Sequence, residues 1–221
     1  MQHSSTIHTY RWFVFLITLG YFLYRFIDQP AGYFGAQFRF LTIWALTAST
    51  LSAWFMLRLS MGWSGRRHEV FASMTVVLNA TVLLMYWKIY FTDPALFYGD
   101  GEGPVWHQEY FLHGLGPALQ MIDAFFILGV FTRLKATALA VLVMPLAYVA
   151  WIEFLVHPLN DRPIGDVTTG LPYLFLNNME VPARLTFYAT TVGSMLVLFV
   201  IGATLAWALR TFSRRGAPQS P

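Results

Sequence analysis

The sequence predicts an all-α polytopic membrane protein, a single domain over 1–221 built as a bundle of six transmembrane helices. Three observations predict it. Charged residues make up only 11% of the 221 and hydrophobic residues 57%, whereas a soluble domain carries about 25% charged residues. Aromatic residues reach 18%, as expected where Trp and Tyr settle at a membrane–water interface. A hydrocarbon core of about 30 Å takes about 20 helical residues to cross, and apolar runs of that order recur at 10–27, 40–58, 70–91, 112–131, 135–156 and 186–209.

The first run is expected to remain as a span and not to be cleaved as a signal peptide: only Arg11 accompanies its start, and no small-residue cleavage site follows Leu23. The second opens with FRFLTIW, which places Thr42 just inside it. The third carries Asn79 and ends among Tyr86, Trp87, Lys88 and Tyr90, where a lysine can snorkel through an aromatic belt. The fourth opens with HGLGP: Pro117 has no N–H, so the His113 carbonyl loses its partner one turn on. Gly114 and Gly116 leave room for a close approach, although Pro in the first turn also suits an ordinary helix start. The fifth holds Pro145, a candidate kink, and ends with Glu153 and His157 four residues apart on one face. The sixth follows GLPYLFLNN and gives way to a short cytoplasmic tail over 210–221.

Charge sets the orientation. Arg11, Arg58, Arg66, Arg67, Arg133, Lys135, Arg210, Arg214 and Arg215 fall on one side; Arg25, Arg39, Lys88, Arg162 and Arg184 fall on the other. Nine against five places both termini in the cytoplasm. As a loose cross-check, Asp28, Asp93, Asp100, Glu102, Asp161, Asp166 and Glu180 all lie on the outer side. The pattern suits a multi-pass protein of a bacterial inner membrane. The basic residues sit at the ends of apolar runs and not on one polar face, which speaks against a nucleic-acid partner. The absence of cysteine excludes disulfides, thiolate metal sites and a Cys nucleophile. The long connections, 92–111 and 157–185, both face outward, so function is expected there.

At that outer depth the sequence collects Thr42, His113, Arg25, Lys88, Glu153 and His157, with Arg39 beside them. Ionisable side chains inside a bundle are costly and point to function. Each also has a plainer role: Thr bonding back to a carbonyl one turn earlier, His as a hydrated interfacial group, and Glu153 paired with His157. Asp123 lies ten residues past His113, about 15 Å deeper at 1.5 Å per residue. It is expected to hydrogen-bond Asn79 at similar depth, a structural contact.

FLTIW at the start of the second run, HGLGPALQMID at the start of the fourth and GLPYLFLNN before the sixth together resemble the androgen-induced and androgen-dependent TFPI-regulating family of membrane hydrolases. The chain departs from that pattern at Ala45, where an Asp often stands, and in the single His157 where paired histidines are usual. The resemblance implies a threonine hydrolase of fatty acid esters of hydroxy fatty acids, with Thr42 as nucleophile and His113 as base. The substrate would enter laterally from the bilayer, its chains among membrane lipids and its ester in the polar layer. Arg25, Arg39 or Lys88 would take its carboxylate, and Asn177 or Asn178 would reach in from the last connection. Glu153 and His157 complete the polar layer. No cofactor or metal is implied, and the oligomeric state is left open. Two other readings remain: a metal-dependent lipid hydrolase using His107, His113, His157, Glu109 and Glu153, and a non-enzymatic lipid-binding or transport protein. Against a typical secondary transporter, no inverted repeat is visible.

Overall fold

The structure, a computed structural model, describes residues 2–27, 32–98, 103–160 and 167–215. Asp28, Asp100, Glu102, Asp161, Arg162 and Asp166, which entered the charge comparison, lie outside the described residues, as does 216–221 of the expected tail.

The described residues are all-helical, with no strand. Three long α-helices come first: α1 (Gln2–Tyr24), α2 (Leu41–Ser60) and α3 (Glu69–Thr92). The short α4 (Ala95–Tyr98) precedes a composite helix made of α5 (Trp106–Tyr110), a π turn Phe111–Leu115, α6 (Gly116–Ile122) and a second π turn Asp123–Leu128. Next come α7 (Leu134–Trp151), which runs on into a π turn Ile152–Val156, the short α8 (Leu174–Asn177) and the long α9 (Val181–Arg215). Each expected apolar run therefore falls on a helical stretch. Among the described residues four stretches, Glu69–Thr92, Trp106–Leu128, Leu134–Val156 and Val181–Ser213, are long and apolar enough to cross a membrane.

Several boundaries move for local reasons. The composite helix stops at Leu128 and not at 131, because Gly129 turns left-handed at φ 74° and ends it in the manner of a helix C-cap. The last helix starts earlier, with Pro182 in its first turn. It also continues through 210–215, part of the expected tail, where RTFSRR contains no Gly or Pro.

Successive long helices alternate in direction, so the molecule has two organised ends. At one end Arg67 donates to the Leu128 carbonyl, Arg210 donates to the Val130 carbonyl at 2.6 Å, and the Thr132 amide donates to buried Glu69 at 2.6 Å. At the other, Asn160 bridges the Phe34 amide (2.8 Å) and the Val156 carbonyl (2.8 Å), tying two connections together. Between them Leu57, Leu78, Phe131, Val141 and Met195 fill the core.

The expected hydrogen bond between Asn79 and Asp123 is absent. Asp123 instead accepts two hydrogen bonds from Arg11, from Nε at 2.8 Å and from Nη2 at 2.9 Å. The Arg11 guanidinium also donates to the Met56 carbonyl at 3.0 Å. A planar guanidinium matches a carboxylate at two points, and a buried carboxylate needs that charge more than it needs an amide. Asn79 is satisfied elsewhere, donating to Ser49 Oγ at 2.8 Å and to Gln120 Oε1 at 3.4 Å.

Candidate active site

The site begins with a missing N–H. Pro117 cannot donate to the His113 carbonyl, and the Trp87 indole on α3 takes that place at 2.7 Å. The loosened turn closes one residue wider, the Gly116 amide donating to the Phe111 carbonyl, and His113 leaves helical geometry at φ −115°, ψ 20°. Such π turns recur at functional positions. The His113 side chain ends up buried, 5% exposed, with its ring stacked on Tyr86 at 3.8 Å and 1° between planes. Its Nε2 meets Glu109 Oε2 at 3.2 Å. Its Nδ1 is buried and finds no hydrogen-bond partner among the described residues.

Thr42 stands in the first turn of α2. The other threonines of this helix bond back to the preceding turn, Thr47 to the Ile43 carbonyl and Thr50 to the Leu46 carbonyl. Thr42 is the exception. The Phe38 carbonyl one turn before it accepts from the Trp44 and Trp151 indoles, at 2.7 and 3.1 Å. One residue earlier, the Leu41 amide donates to the Tyr173 phenol oxygen at 2.9 Å, which sets that phenol beside the first turn of α2.

Two cavities meet at these residues. One, with roughly 730 Å³ of empty space, is apolar and is walled by Val82, Ile89, Pro145, Ile152, Phe187 and Met195. The other, roughly 650 Å³, reaches the polar groups of Arg25 and Glu109. Thr42, His113, Tyr86, Phe97 and Tyr173 line both, so they form the seam between an apolar and a polar chamber.

The remaining residues singled out in the sequence divide clearly. Arg25 lines the polar chamber, held by Gln108 and, at 3.3 Å, by Gln37. Arg39 is buried but lines neither chamber: its guanidinium lies over the Tyr33 ring at 4.0 Å, and burial lowers its pKa. Lys88 is exposed and lines neither. Glu153 is engaged by Arg184 at 3.2 Å and by the Tyr188 hydroxyl at 2.7 Å, with His157 Nδ1 at 3.7 Å. Asn177 does not reach in as a donor. Its amide is consumed inside its own connection, donating to the Leu171 and Tyr173 carbonyls, both at 2.9 Å, and accepting from the Leu171 amide at 3.2 Å. Asn178 is exposed and lines neither chamber.

Sequence reasoning placed Tyr86 only in an aromatic belt, assigned no role to Tyr148 or Tyr173, and considered Glu109 only as a metal ligand. The spacing Glu109-x-x-x-His113 was a usable signal, because residues four apart share a helix face. Four of the five residues offered for a metal form two pairs, Glu109 with His113 and Glu153 with His157, while the His107 ring lies near Tyr24. Among the described residues no three His, Asp or Glu side chains converge.

No curated protein and no solved structure matches the chain. The model of one family does, that of the FAR-17a/AIG1-like proteins, over residues 7–206. With Thr42, His113 and the connection before α9 all inside the matched stretch, the chain belongs to the FAR-17a/AIG1-like family.

Proposed function

We propose that this protein is an intramembrane lipid-ester hydrolase with Thr42 as nucleophile and His113 as base, acting on fatty acid esters of hydroxy fatty acids. The observation that carries the reading is the His113 imidazole at the seam of the two chambers. One nitrogen faces a carboxylate, and the other is buried without a partner among the described residues, while Thr42, which does not bond back to its helix, lines the same two chambers. With Nε2–H donated to Glu109, the Nδ1 lone pair is free to accept a proton.

In the first half-reaction Nδ1 takes the Thr42 proton as Oγ1 bonds to the ester carbon. The tetrahedral intermediate collapses by breaking the bond to the alkoxy oxygen, which leaves with the proton from Nδ1. Water then adds to the acyl–Thr42 ester, giving its proton to Nδ1. Collapse expels Thr42 Oγ1, which recovers that proton, and the free acid departs. No metal or cofactor enters these steps.

The apolar chamber would hold the acyl chain, and the polar chamber the carboxylate of the second chain against Arg25. Arg25 is chosen over Arg39 and Lys88 because it alone of the three lines a chamber. The six long helical stretches are read as six spans with both termini cytoplasmic, as in a bacterial inner membrane, and the substrate as entering sideways from lipid.

A fluorophosphonate probe tests the assignment. It is expected to label Thr42 in the wild type and to fail on Thr42→Ala and His113→Ala. Wild-type labelling of both variants would defeat the assignment.

A further inference from the structure

We infer that the Tyr173 hydroxyl is the oxyanion donor of this site, hydrogen-bonding the substrate carbonyl oxygen as it becomes negatively charged. The inference rests on the hydrolase reading above and adds the component it lacks.

Tyr173 comes from the connection before α9, far in sequence from both Thr42 and His113. That connection is fixed at several points. Asn177 holds the Tyr173 carbonyl at 2.9 Å, and Gly170, at φ 82°, leaves no space for a Cβ against the carbonyls of His157 and Asn160. The phenol so placed lines both chambers. Its oxygen accepts from the Leu41 amide at 2.9 Å, one residue before Thr42, which lines the same two chambers.

Proton accounting leaves Tyr173 as the donor. The Leu41 amide is a fixed donor, so it occupies an acceptor position on the phenol oxygen and not the phenol's own O–H. Tyr148 spends its proton on the Arg39 carbonyl at 2.9 Å. Thr42 gives its proton to His113 when it attacks. None of these uses the Tyr173 O–H, which lines the two chambers together with Thr42. When Oγ1 bonds to the acyl carbon, the carbonyl oxygen comes to lie two bonds from Oγ1, in the seam that the phenol also lines. Tyr173 keeps its proton throughout and donates a hydrogen bond to that oxygen. Burial pushes its phenol up from the ordinary tyrosine value, with the Leu41 amide opposing, so it remains a donor through neutral pH.

Neither asparagine expected to reach in from this connection can serve as the oxyanion donor from its present place. Asn177 has spent its amide within the connection, and Asn178 lines neither chamber. Tyr86 also lines both chambers, but its ring lies flat on the imidazole at 3.8 Å, which makes it a support for His113.

The test compares wild type, Tyr173→Phe and Tyr173→3,5-difluorotyrosine in the full-length membrane protein. A nitrophenyl ester of a long-chain fatty acid serves as substrate, and a trifluoromethyl ketone with the same chain as the inhibitor that forms an oxyanion. Tyr173→Phe is expected to lower kcat about 10²–10³-fold, the loss typical of one oxyanion donor. KM should stay within about twofold, and ketone inhibition should weaken in parallel with kcat/KM. The difluoro variant keeps the packing and the hydroxyl but makes the phenol more acidic, so its kcat should fall off at a lower alkaline pH than the wild type. The inference is overturned if Tyr173→Phe retains kcat within about threefold, if the loss falls on KM, or if the difluoro and wild-type pH profiles superimpose. Should Tyr173→Phe not fold, the difluoro profile decides alone. Thr42→Ala separates the two levels. If it stays active, the hydrolase reading itself fails; if it is dead while Tyr173→Phe turns over normally, only the phenol assignment fails.

Discussion

The contact between Glu109 and His113 Nε2 at 3.2 Å fixes which imidazole nitrogen carries the proton, and so whether Nδ1 can serve as a base. A carboxylate there can only accept, so it selects the tautomer with hydrogen on Nε2. An amide can also donate, and Glu109→Gln would stabilise the opposite tautomer, with Nδ1–H turned toward Thr42. Removing the side chain altogether leaves both tautomers accessible. The expected order of kcat is therefore wild type, then Glu109→Ala, then Glu109→Gln, with the glutamine variant down about 10²–10⁴-fold, the range of general acid–base catalysis. Steady-state kinetics on the three proteins checks this. A glutamine variant more active than the alanine variant would show that Glu109 acts through charge or packing and not through the tautomer.

At the scale of the element, Pro117 does more than begin a helix. By withholding an N–H it frees the His113 carbonyl for Trp87 and permits the wide turn on which the imidazole is displayed. Pro117→Ala returns the N–H and lets the turn close as an α-helix, which costs nothing in propensity but rotates His113 out of register with Thr42. Thermal stability should be unchanged or higher while kcat falls at least about tenfold, since small misplacements of reacting groups carry costs of that size or larger. Unchanged kcat in the folded variant would detach the π turn from catalysis. This element was legible in the sequence because its cause is local: a proline four residues after a histidine removes one hydrogen bond wherever the chain goes. The long helices were legible for the same kind of reason, since a run of apolar residues sets its own length. What could not be read was partner choice. Depth alone paired Asp123 with Asn79, but the partner is Arg11, 112 residues away on a helix whose rotation no local pattern fixes. Tyr173 was visible within GLPYLFLNN without a role, because its position depends on Asn177, Gly170 and the Leu41 amide acting together.

Over the whole molecule, charge and chemistry separate by end. The Thr42 end gathers the two chambers, Arg25 and the fixed connections, whereas Arg67 and Arg210 at the opposite end cap the carbonyls of Leu128 and Val130. Some basic residues behind the orientation argument thus also perform a structural task, and orientation needs a measurement that does not count charges. The sequence supplies a clean background, because it contains no cysteine. Gly65, between α2 and α3, and Gly103, just before α5, are both exposed, and a Cβ at either meets nothing within 4 Å. Gly65→Cys and Gly103→Cys should therefore fold as the parent does and differ only in which side of the membrane they report. In right-side-out vesicles a membrane-impermeant maleimide is expected to label Gly103→Cys and spare Gly65→Cys, and in inside-out vesicles the reverse. The inverted pattern would move the proposed active site to the cytoplasmic leaflet. Labelling of both positions from one side would break the alternation of helices that brings Thr42, His113 and Tyr173 to a common end.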